Sequence, residues 1–451
     1  MMQVVRGGKR ILVVTHIDAD GLCSGSVIFA SLMRKGANVN LRTVPDLDPT
    51  TIKDLASQNY DFYVFVDLAS TMISELEGAL AGRFLVIDHH EISEPDMDNP
   101  SVVNAWRYGY DGGKEACSSA MAYFFAASLD PGNSDLAPLA VVGALADRQD
   151  SGPGRSLTGL NRSALEDAQQ RGLLTASNDL TFTGRETRPI HESIALTSVP
   201  YLKGMTGSKD AVLSILHQSG FELKDAGVWR TVSSMSQDEK KRLVEVLAGS
   251  LGSQEGGSEA LTSLFGEVYT LQFEDPFTPL RDAREFGTLL NSCGRMGAAS
   301  VGISICLGDR SLALKDAMRI LSEYRQGINK ALEAVNSDPT RLEQHGKVIV
   351  VKGEGAVDEK LLGPVISILT SSPQFKDKVV VGSAASRDGY LKISSRLGDS
   401  FDGQVNLGLI MREAAQEVDG VGGGHAMAAG ARIPATRSEA FAKSVIGKVP
   451  A

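Results

Sequence analysis

Residues 10–21 read RILVVTHIDADG, an apolar run that passes directly into His16, Asp18, Asp20 and a glycine. A run of this kind predicts a strand covered on both faces, as in a parallel α/β sheet. The residues that follow, 24–35, have a helical pattern. The segment therefore predicts a strand and a helix, with one imidazole and two carboxylates between them.

Three more short apolar runs follow in the first third of the chain, each separated from the next by a longer segment. Strands joined by helices in this order form right-handed crossovers and a doubly wound parallel sheet, which predicts an α/β fold class. The predicted strands after the first are VNLRTV (39–44), DFYVFV (61–66) and RFLVI (83–87), and helices are predicted at 116–128 and 136–147.

The rest of the chain predicts a small inserted region at 195–262 and a second α/β unit. The inserted region has two helical patterns, one of them opened by a capping box at 236–239, and then a Gly/Ser-rich stretch at 249–260 that indicates a flexible connector. The predicted domains are an N-terminal domain at 1–194, the insertion at 195–262, linking strands and helices at 263–340, including a strand at 300–306, and a C-terminal domain at 341–451.

Composition excludes several classes of protein. Lys and Arg number 45 against 55 Asp and Glu, a net charge of −10, so the chain lacks the broad cationic surface of a histone-like DNA coat. A local basic groove stays compatible with this balance. The four cysteines form no CxxC pair, which predicts a reduced, cytoplasmic protein. No apolar stretch approaches the roughly 18 residues of a membrane span, so no membrane role is expected.

Polar side chains also follow two of the later predicted strands. Asp67 comes directly after 61–66, and Asp88, His89 and His90 come directly after 83–87. Because the carboxyl ends of parallel strands meet in one crevice, we expect these side chains to converge there with the first group. Asp147, at the end of a predicted helix, is a further candidate.

Each motif alone has a structural explanation. An H-x-D-x-D segment supplies an N-capping aspartate, a D-H-H segment can be a buried histidine pair, and Asp147 can simply end its helix. If all these motifs converge, however, their carboxylates would repel one another unless cations offset the negative charge. Mixed oxygen and imidazole ligands favour two divalent cations, Mn²⁺ foremost, with Mg²⁺ or Co²⁺ as alternatives. Such metal pairs serve in-line attack on phosphorus.

The ordered set HIDAD (16–20), Asp67, DHH (88–90), Asp147 and the distant GGGH (422–425) resembles the DHH/DHHA1 phosphoesterase superfamily. The resemblance implies that His16 and Asp18 bind one cation, that Asp20, His89 and Asp147 bind the other, and that Asp67 bridges them. It also implies that Asp88 orients a histidine and that His90 faces the scissile phosphate. No ligand position departs from the family pattern, which favours an enzyme over the inactive scaffolds of the superfamily.

The C-terminal motif is less specific by itself. Gly422, Gly423 and Gly424 with His425 would ordinarily form a tight turn, and Arg396 would ordinarily be a solvated arginine at a strand end. The resemblance implies instead that the GGGH loop binds a nucleotide phosphate across an interlobe cleft. Arg396 would accompany it as a phosphate clamp.

Chain length, the insertion and LRDAREFGTLLNSCGR (280–295) resemble the archaeal RecJ-like single-strand exonucleases, some of which associate with the GINS replication complex. This resemblance implies hydrolysis of single-stranded DNA or RNA to nucleoside 5′-monophosphates in replication or repair. Three alternatives stay open: a phosphodiesterase for very short RNA or cyclic dinucleotides, a manganese pyrophosphatase, and a noncatalytic replication scaffold docked through 195–262. Arg281, Arg284 and Arg295 are weaker candidates for a nucleic-acid track.

Overall fold

The computed structural model describes residues 1–251 and 257–450. The chain divides into two compact units. The first comprises Met1–Leu196 and Ser208–Leu321, and the second comprises Thr197–Gly207 and the chain from Ser322 onward.

The first unit is built on a five-stranded parallel sheet in the order β2-β1-β3-β4-β5. The chain winds outward from β1 in both directions, which confirms the predicted doubly wound α/β class. All four predicted strands of this sheet are present, and a short fifth strand had not been predicted. The strands are β1 (Arg10–His16), β2 (Asn38–Val44), β3 (Phe62–Val66), β4 (Phe84–Asp88) and β5 (Val102–Asn104).

Helices cover both faces of this sheet, as its continuous apolar strands require. On one face α3 and α4 pack against side chains such as Leu12 and Phe65, and on the other α2 contacts β1, α6 and α7. The predicted helices at 116–128 and 136–147 correspond to α6 and α7. The helices are α1 (Met2–Arg6), α2 (Ala19–Arg34), α3 (Pro49–Ser57), α4 (Ile73–Leu80), α5 (Glu94–Met97), α6 (Ser118–Leu129), α7 (Ala137–Ala146) and α8 (Gly159–Gln170).

The predicted capping box of the inserted region is present. The Ser236 amide donates to the Glu239 carboxylate at 2.7 Å, and the Glu239 amide donates to Ser236 Oγ at 3.3 Å. The predicted connector is only partly correct, because helices extend into both of its ends, while 252–256 lie outside the described residues. The elements are β6 (Leu174–Leu180), α9 (Ile190–Leu196), α10 (Lys209–Gln218), β7 (Lys224–Asp225), β8 (Val228–Trp229), α11 (Gln237–Leu251), α12 (Gly257–Thr262) and β9 (Phe265–Leu271), which pairs with β6.

The strand predicted at 300–306 is wrong, because this segment is helix α14. A Cβ at Gly302 would lie 2.7 Å from the Leu22 side chain and 3.4 Å from Cys293, so α14 packs closely on α2 and α13. A short apolar run does not distinguish a strand from a buried helix.

No helix among the described residues is long and apolar enough to cross a membrane. The helices here are α13 (Ala283–Arg295), α14 (Ala299–Cys306) and α15 (Leu312–Ser337).

The second unit contains a six-stranded mixed sheet in the order β10-β11-β12-β13-β15-β14. Its core lies between one face of the sheet and helices α17 and α18. The GGGH segment, which sequence alone predicted as a turn, instead forms strand β14 up to Gly424. The elements are β10 (Leu342–His345), β11 (Val348–Lys352), α16 (Leu362–Thr370), β12 (Val379–Ala385), β13 (Tyr390–Leu397), α17 (Leu407–Gln416), β14 (Val421–Gly424), β15 (Ala428–Pro434) and α18 (Ser438–Lys448).

Candidate metal centre

The polar side chains singled out in the first unit lie at the carboxyl edge of its parallel sheet. His16 is the last residue of β1, Asp67 follows β3, and Asp88 is the last residue of β4. These three strands are adjacent in the sheet. Asp147 is the C-cap of α7, which packs against α2. The fold therefore brings together residues that are far apart in the sequence.

The first group consists of His16, Asp18 and Asp67, whose ligand atoms lie within 4.8 Å of one another. His16 Nδ1 is 3.0 Å from Asp18 Oδ2 and 3.7 Å from Asp67 Oδ2. Asp18 is held in place because its Oδ1 accepts the Gly21 amide at 2.9 Å and so caps α2. Gly21 has no room for a side chain, since a Cβ there would lie 2.5 Å from the His16 carbonyl oxygen.

The second group consists of Asp20, His89 and Asp147. His89 Nε2 lies 4.0 Å from Asp20 Oδ2 and 3.5 Å from Asp147 Oδ2. The same nitrogen is 3.4 Å from Asp67 Oδ1, so Asp67 stands between the two groups. Their membership is the one that the family resemblance implies.

Asp67 is the least compensated side chain of the centre. It is buried, and neither of its carboxylate oxygens has a hydrogen-bond partner among the residues that the structure describes. Its backbone has a φ of 61°, a left-handed conformation that costs energy in a non-glycine residue. A buried carboxylate without donors is strongly unfavourable unless a cation faces it. The donor set around Asp67 therefore fits bound divalent cations.

Asp20 is positioned by the N-terminus of α6, a feature that sequence reasoning missed. Its Oδ2 accepts the Ser118 amide at 2.8 Å, and its Oδ1 accepts the Ser119 amide at 2.9 Å and also the Ser119 hydroxyl. Burial, reinforced by the charge of Asp67, raises the pKa of Asp20 to about 7. A Cβ at Gly143 would lie 2.4 Å from Asp20 Oδ1, so glycine is required beside it.

His89 is oriented by a buried network that the sequence did not reveal. Its Nδ1 lies 2.6 Å from the Gly112 carbonyl oxygen, to which it can donate, and this leaves Nε2 facing the carboxylates. The Gln149 amide donates to the same carbonyl at 2.9 Å, and Asn161 donates to Gln149 at 2.6 Å. Such contacts fix the tautomer and ring orientation of a metal-binding histidine.

Asp88 and His90 form a tight pair beside the two groups. His90 Nδ1 is 2.7 Å from Asp88 Oδ1, while Asp88 Oδ2 accepts the Ser70 amide at 3.0 Å. Burial opposes ionisation of Asp88, but the charge of His90 outweighs it and holds the Asp88 pKa below its usual range. Asn104 donates to the His90 carbonyl oxygen and to Ser70 Oγ, both at 2.9 Å, and so fixes this turn.

Protons compensate part of the negative charge of the centre when no cation is bound. Burial opposes charging of His16 and His89, yet the nearby carboxylates raise the pKa of both well above the ordinary value. Burial, together with the charge of Asp20, also raises the pKa of Asp147. Cations and protons therefore compete for the same side chains.

The C-terminal candidates lie in the second unit. Arg396, on β13, donates from Nε to Ser367 Oγ at 3.0 Å and is therefore tied to α16. Packing explains Gly422 and Gly424, because a Cβ would lie 2.3 Å from the Met411 carbonyl oxygen and 2.6 Å from Ala429 Cα, respectively. A Cβ at Gly423 would meet nothing within 4 Å. His425 is exposed and begins the turn to β15, where its amide donates to Ala428 O at 2.8 Å.

The suggested arginine track is not supported for two of its members. Arg281 donates to the carbonyl oxygens of Leu271, Gln272 and Glu274 and so closes a loop. Arg284 pairs with Asp150 at 2.8 Å. Sequence could not reveal these contacts, because they depend on the tertiary fold.

Sequence models of known domains match most of the chain. The N-terminal domain of the DHH family matches 10–144, the DHH-CID domain matches 182–262, and the DHHA1 domain matches 345–449. The chain therefore belongs to the DHH/DHHA1 superfamily, as its motifs predicted.

Three individual proteins are similar to this chain. The uncharacterized protein MJ0831 of Methanocaldococcus jannaschii is 28% identical over 96% of this chain and 92% of its own length. The Mn²⁺ complex of RecJ from Thermus thermophilus has a TM-score of 0.60 at 18% identity, covering all of this chain. This chain spans only 54% of that RecJ chain. CDC45 from Entamoeba histolytica has a TM-score of 0.69 at 12% identity over 99% of this chain and 96% of its own. At these identities the two structures establish the shared fold.

Proposed function

We propose that this protein is a two-cation phosphodiesterase that removes nucleotides from an end of single-stranded DNA or RNA as nucleoside 5′-monophosphates, in replication or repair. The observation that carries the proposal is Asp67. Within the described parts of the chain, both of its buried carboxylate oxygens lack hydrogen-bond partners, and one faces His16 while the other faces His89. A carboxylate placed between two groups of ligands is suited to bridge two adjacent cations.

In this proposal His16 and Asp18 hold one cation, whereas Asp20, His89 and Asp147 hold the other. Mn²⁺ suits this mixture of imidazole and carboxylate ligands best, with Mg²⁺ and Co²⁺ as alternatives. A bound metal pair supplies a water of lowered pKa and stabilises charge on the phosphate oxygens.

Asp88 and His90 would act on the substrate without holding a cation. Burial disfavours the charged form of His90, but Asp88 raises its pKa, so the imidazolium is stabilised. A positive ring held at 2.7 Å from Asp88 can stabilise charge on the scissile phosphate. It can also deliver a proton to the leaving oxygen.

The C-terminal unit would hold the terminal nucleotide. Arg396, whose Nε and Nη1 donate to Ser367 Oγ and the Ser395 carbonyl oxygen, would supply a fixed positive charge for the phosphate. The adjoining segment consists of Gly422, Gly423, Gly424 and His425. The support lies at Gly423, where no atom of the described chain occupies the position of a side chain. A phosphate can therefore approach the backbone closely there.

The test is digestion of matched DNA and RNA oligonucleotides, labelled at either end, with and without Mn²⁺. Wild-type protein is expected to release mononucleotides only with the cation. Asp67→Asn should lower the rate by at least about a hundredfold, because it removes the shared ligand. Asp98→Asn, at an exposed position, is the matched control. Full activity of Asp67→Asn would contradict the proposal, and parallel assays on pyrophosphate and cyclic dinucleotides separate the two other enzymatic alternatives.

A second candidate function, docking to a replication complex such as GINS, has its own observation. The inserted region contains a cavity of about 880 Å³ lined by Leu213, Phe221 and Trp229, among others. Beside it Val228 is 71% exposed. Val228→Ser with Trp229→Ala should abolish binding to purified GINS but leave nuclease activity unchanged, whereas Leu312→Ser, at another exposed apolar position, should do neither. Undiminished GINS binding by the double variant would contradict this docking site.

A further inference from the structure

One face of the C-terminal sheet carries a pair of cations directly opposite each other. Lys392 on β13 pairs in register with Arg432 on β15, and both side chains are exposed. Their chain neighbours Leu391 and Ile433 are buried in the core on the opposite face. The alternation along each strand therefore places the two cations together on the face away from α17 and α18.

Helix α16 packs on this face beside β12 and β13. Near β12, a Cβ at Gly382 would lie 2.2 Å from the Ile366 side chain in α16. Toward β14, Gly423 is paired with Gly430, and neither carries a side chain. Among the described residues, a Cβ at Gly423 would meet nothing within 4 Å, and one at Gly430 would meet only the Ile393 carbonyl oxygen at 3.0 Å. The paired glycines therefore form a part of the sheet without side chains, close to the two cations.

The two cations are not compensated by acidic groups. Among the described residues, no carboxylate lies within 4.0 Å of Lys392 or Arg432. The contact of Arg432 is with an aromatic ring, since its guanidinium carbon lies 4.6 Å from the ring centroid of Tyr390. Like charges directly opposite on a sheet are destabilising, and this pair occurs in a chain with a net charge of −10. The complementary occupant is a polyanion.

We propose that this face binds the phosphodiester backbone of a single-stranded nucleic acid. The strand runs from the phosphate site at Arg396 across Gly423 and Gly430 to Lys392 and Arg432, and a base beyond them stacks on Tyr390. We use the name strand track for five of these residues, namely Tyr390, Lys392, Gly423, Gly430 and Arg432. Glycines permit close approach of the backbone, and aromatic rings bind bases of any sequence.

The strand track deepens the proposed function and rests on it, because it specifies the length of the substrate. Lys392 and Arg396 are four residues apart on β13, so their Cα atoms are roughly 14 Å apart at the usual rise of a strand. That distance exceeds the reach of a single nucleotide. Longer strands should therefore engage both the phosphate site and the cations, whereas a dinucleotide engages the phosphate site alone.

The experiment compares a dinucleotide with a 12-nucleotide strand in Lys392→Gln/Arg432→Gln. For the longer strand KM should rise about tenfold, and the slope of log affinity against log salt should fall by about 1.4, the value for two lost phosphate contacts. Turnover and KM for the dinucleotide should be unchanged. Lys376→Gln/Lys443→Gln, which removes two exposed cations elsewhere in the same unit, is the matched control and should behave as wild type.

Tyr390 is tested separately. Tyr390→Ala should weaken binding of the longer strand severalfold, whereas Tyr390→Phe, which keeps the stacking ring, should restore it. Unchanged KM and salt slope in the double variant would overturn the strand track, as would equal losses on both substrates.

Binding is also measured by fluorescence anisotropy in an Asp67→Asn background, without turnover. If wild type cleaves neither substrate while binding still depends on Lys392 and Arg432, the proposed function fails and the strand track stands. If wild type cleaves the longer strand and the double variant binds it equally well, only the strand track fails.

Discussion

Asp18 uses its two carboxylate oxygens for different purposes. Oδ1 caps α2 through the Gly21 amide, whereas Oδ2 faces His16 at 3.0 Å. The N-cap explanation and the metal explanation of the H-x-D-x-D motif are therefore compatible. Asp67 differs, because no group among the described residues makes a hydrogen bond to its oxygens, and the nearest histidine nitrogens, on His16 and His89, lie 3.7 and 3.4 Å away. This contrast makes Asp67 the residue whose replacement distinguishes a metal centre from a structural cluster.

Replacing Asp67 or Asp147 should have different effects on metal binding. Asp67 stands between both groups of ligands, whereas Asp147 belongs to one. By isothermal titration, wild type should bind two Mn²⁺ ions, Asp147→Asn should lose one of them, and Asp67→Asn should weaken both. Asp98→Asn should retain both. Two tight ions in Asp67→Asn would show that this carboxylate is not shared.

Mn²⁺ affinity should rise with pH. In the metal-free protein the pKa of Asp20 is raised to about 7, mainly by burial, and the carboxylates raise the pKa of His16 and His89. These groups must lose protons to bind metal, so affinity is low below pH 7 and increases as pH passes through and above it. Calorimetry in buffers of different ionisation enthalpy should detect net proton release. Affinity independent of pH from about 5.5 to 8.5 would contradict this competition.

At the scale of elements, the sequence predicted what depends on local pattern. Strands β1, β3 and β4 were identifiable because each apolar run stops at a polar side chain, and the shared edge of a parallel sheet then placed those side chains together. Helix α14 was mistaken for a strand because its apolar run is short and its burial depends on α2 and α13. Gln149, Asn161 and Ser119 were missed because their contacts with the centre are created by tertiary packing.

In strand β14, close packing leaves no room for a side chain at Gly422 and Gly424, whereas at Gly423 there is room for one. Gly422→Ala should lower the melting temperature, because its Cβ would lie 2.3 Å from the Met411 carbonyl oxygen. Gly423→Ala should fold normally and instead raise KM, because the methyl group would occupy the space assigned to a phosphate. Thermal unfolding and steady-state kinetics test both. An unaltered KM in well-folded Gly423→Ala would exclude close phosphate approach at this residue.

At the scale of the whole molecule, the two proposed tasks, metal binding and substrate binding, belong to different units. The six proposed metal ligands lie in the first unit, and Arg396, the GGGH segment and the strand track lie in the second. Each unit has its own buried apolar cluster. Metal binding and substrate binding can therefore be perturbed one at a time.

Separate cores predict that Mn²⁺ stabilises one unit selectively. A ligand that binds only the folded state stabilises it by about 2.7 kcal/mol at a hundred times its dissociation constant. In scanning calorimetry, Mn²⁺ should therefore shift the transition of the first unit and leave that of the second in place. Ile52→Ala and Ile433→Ala, buried in the first and second cores respectively, assign the transitions, since each should cost its own unit about 2–5 kcal/mol. Ile433→Ala should lower the melting temperature of the second unit. If Mn²⁺ raised only that melting temperature, the metal would bind the second unit, and the assignment of the centre to the first unit would be refuted.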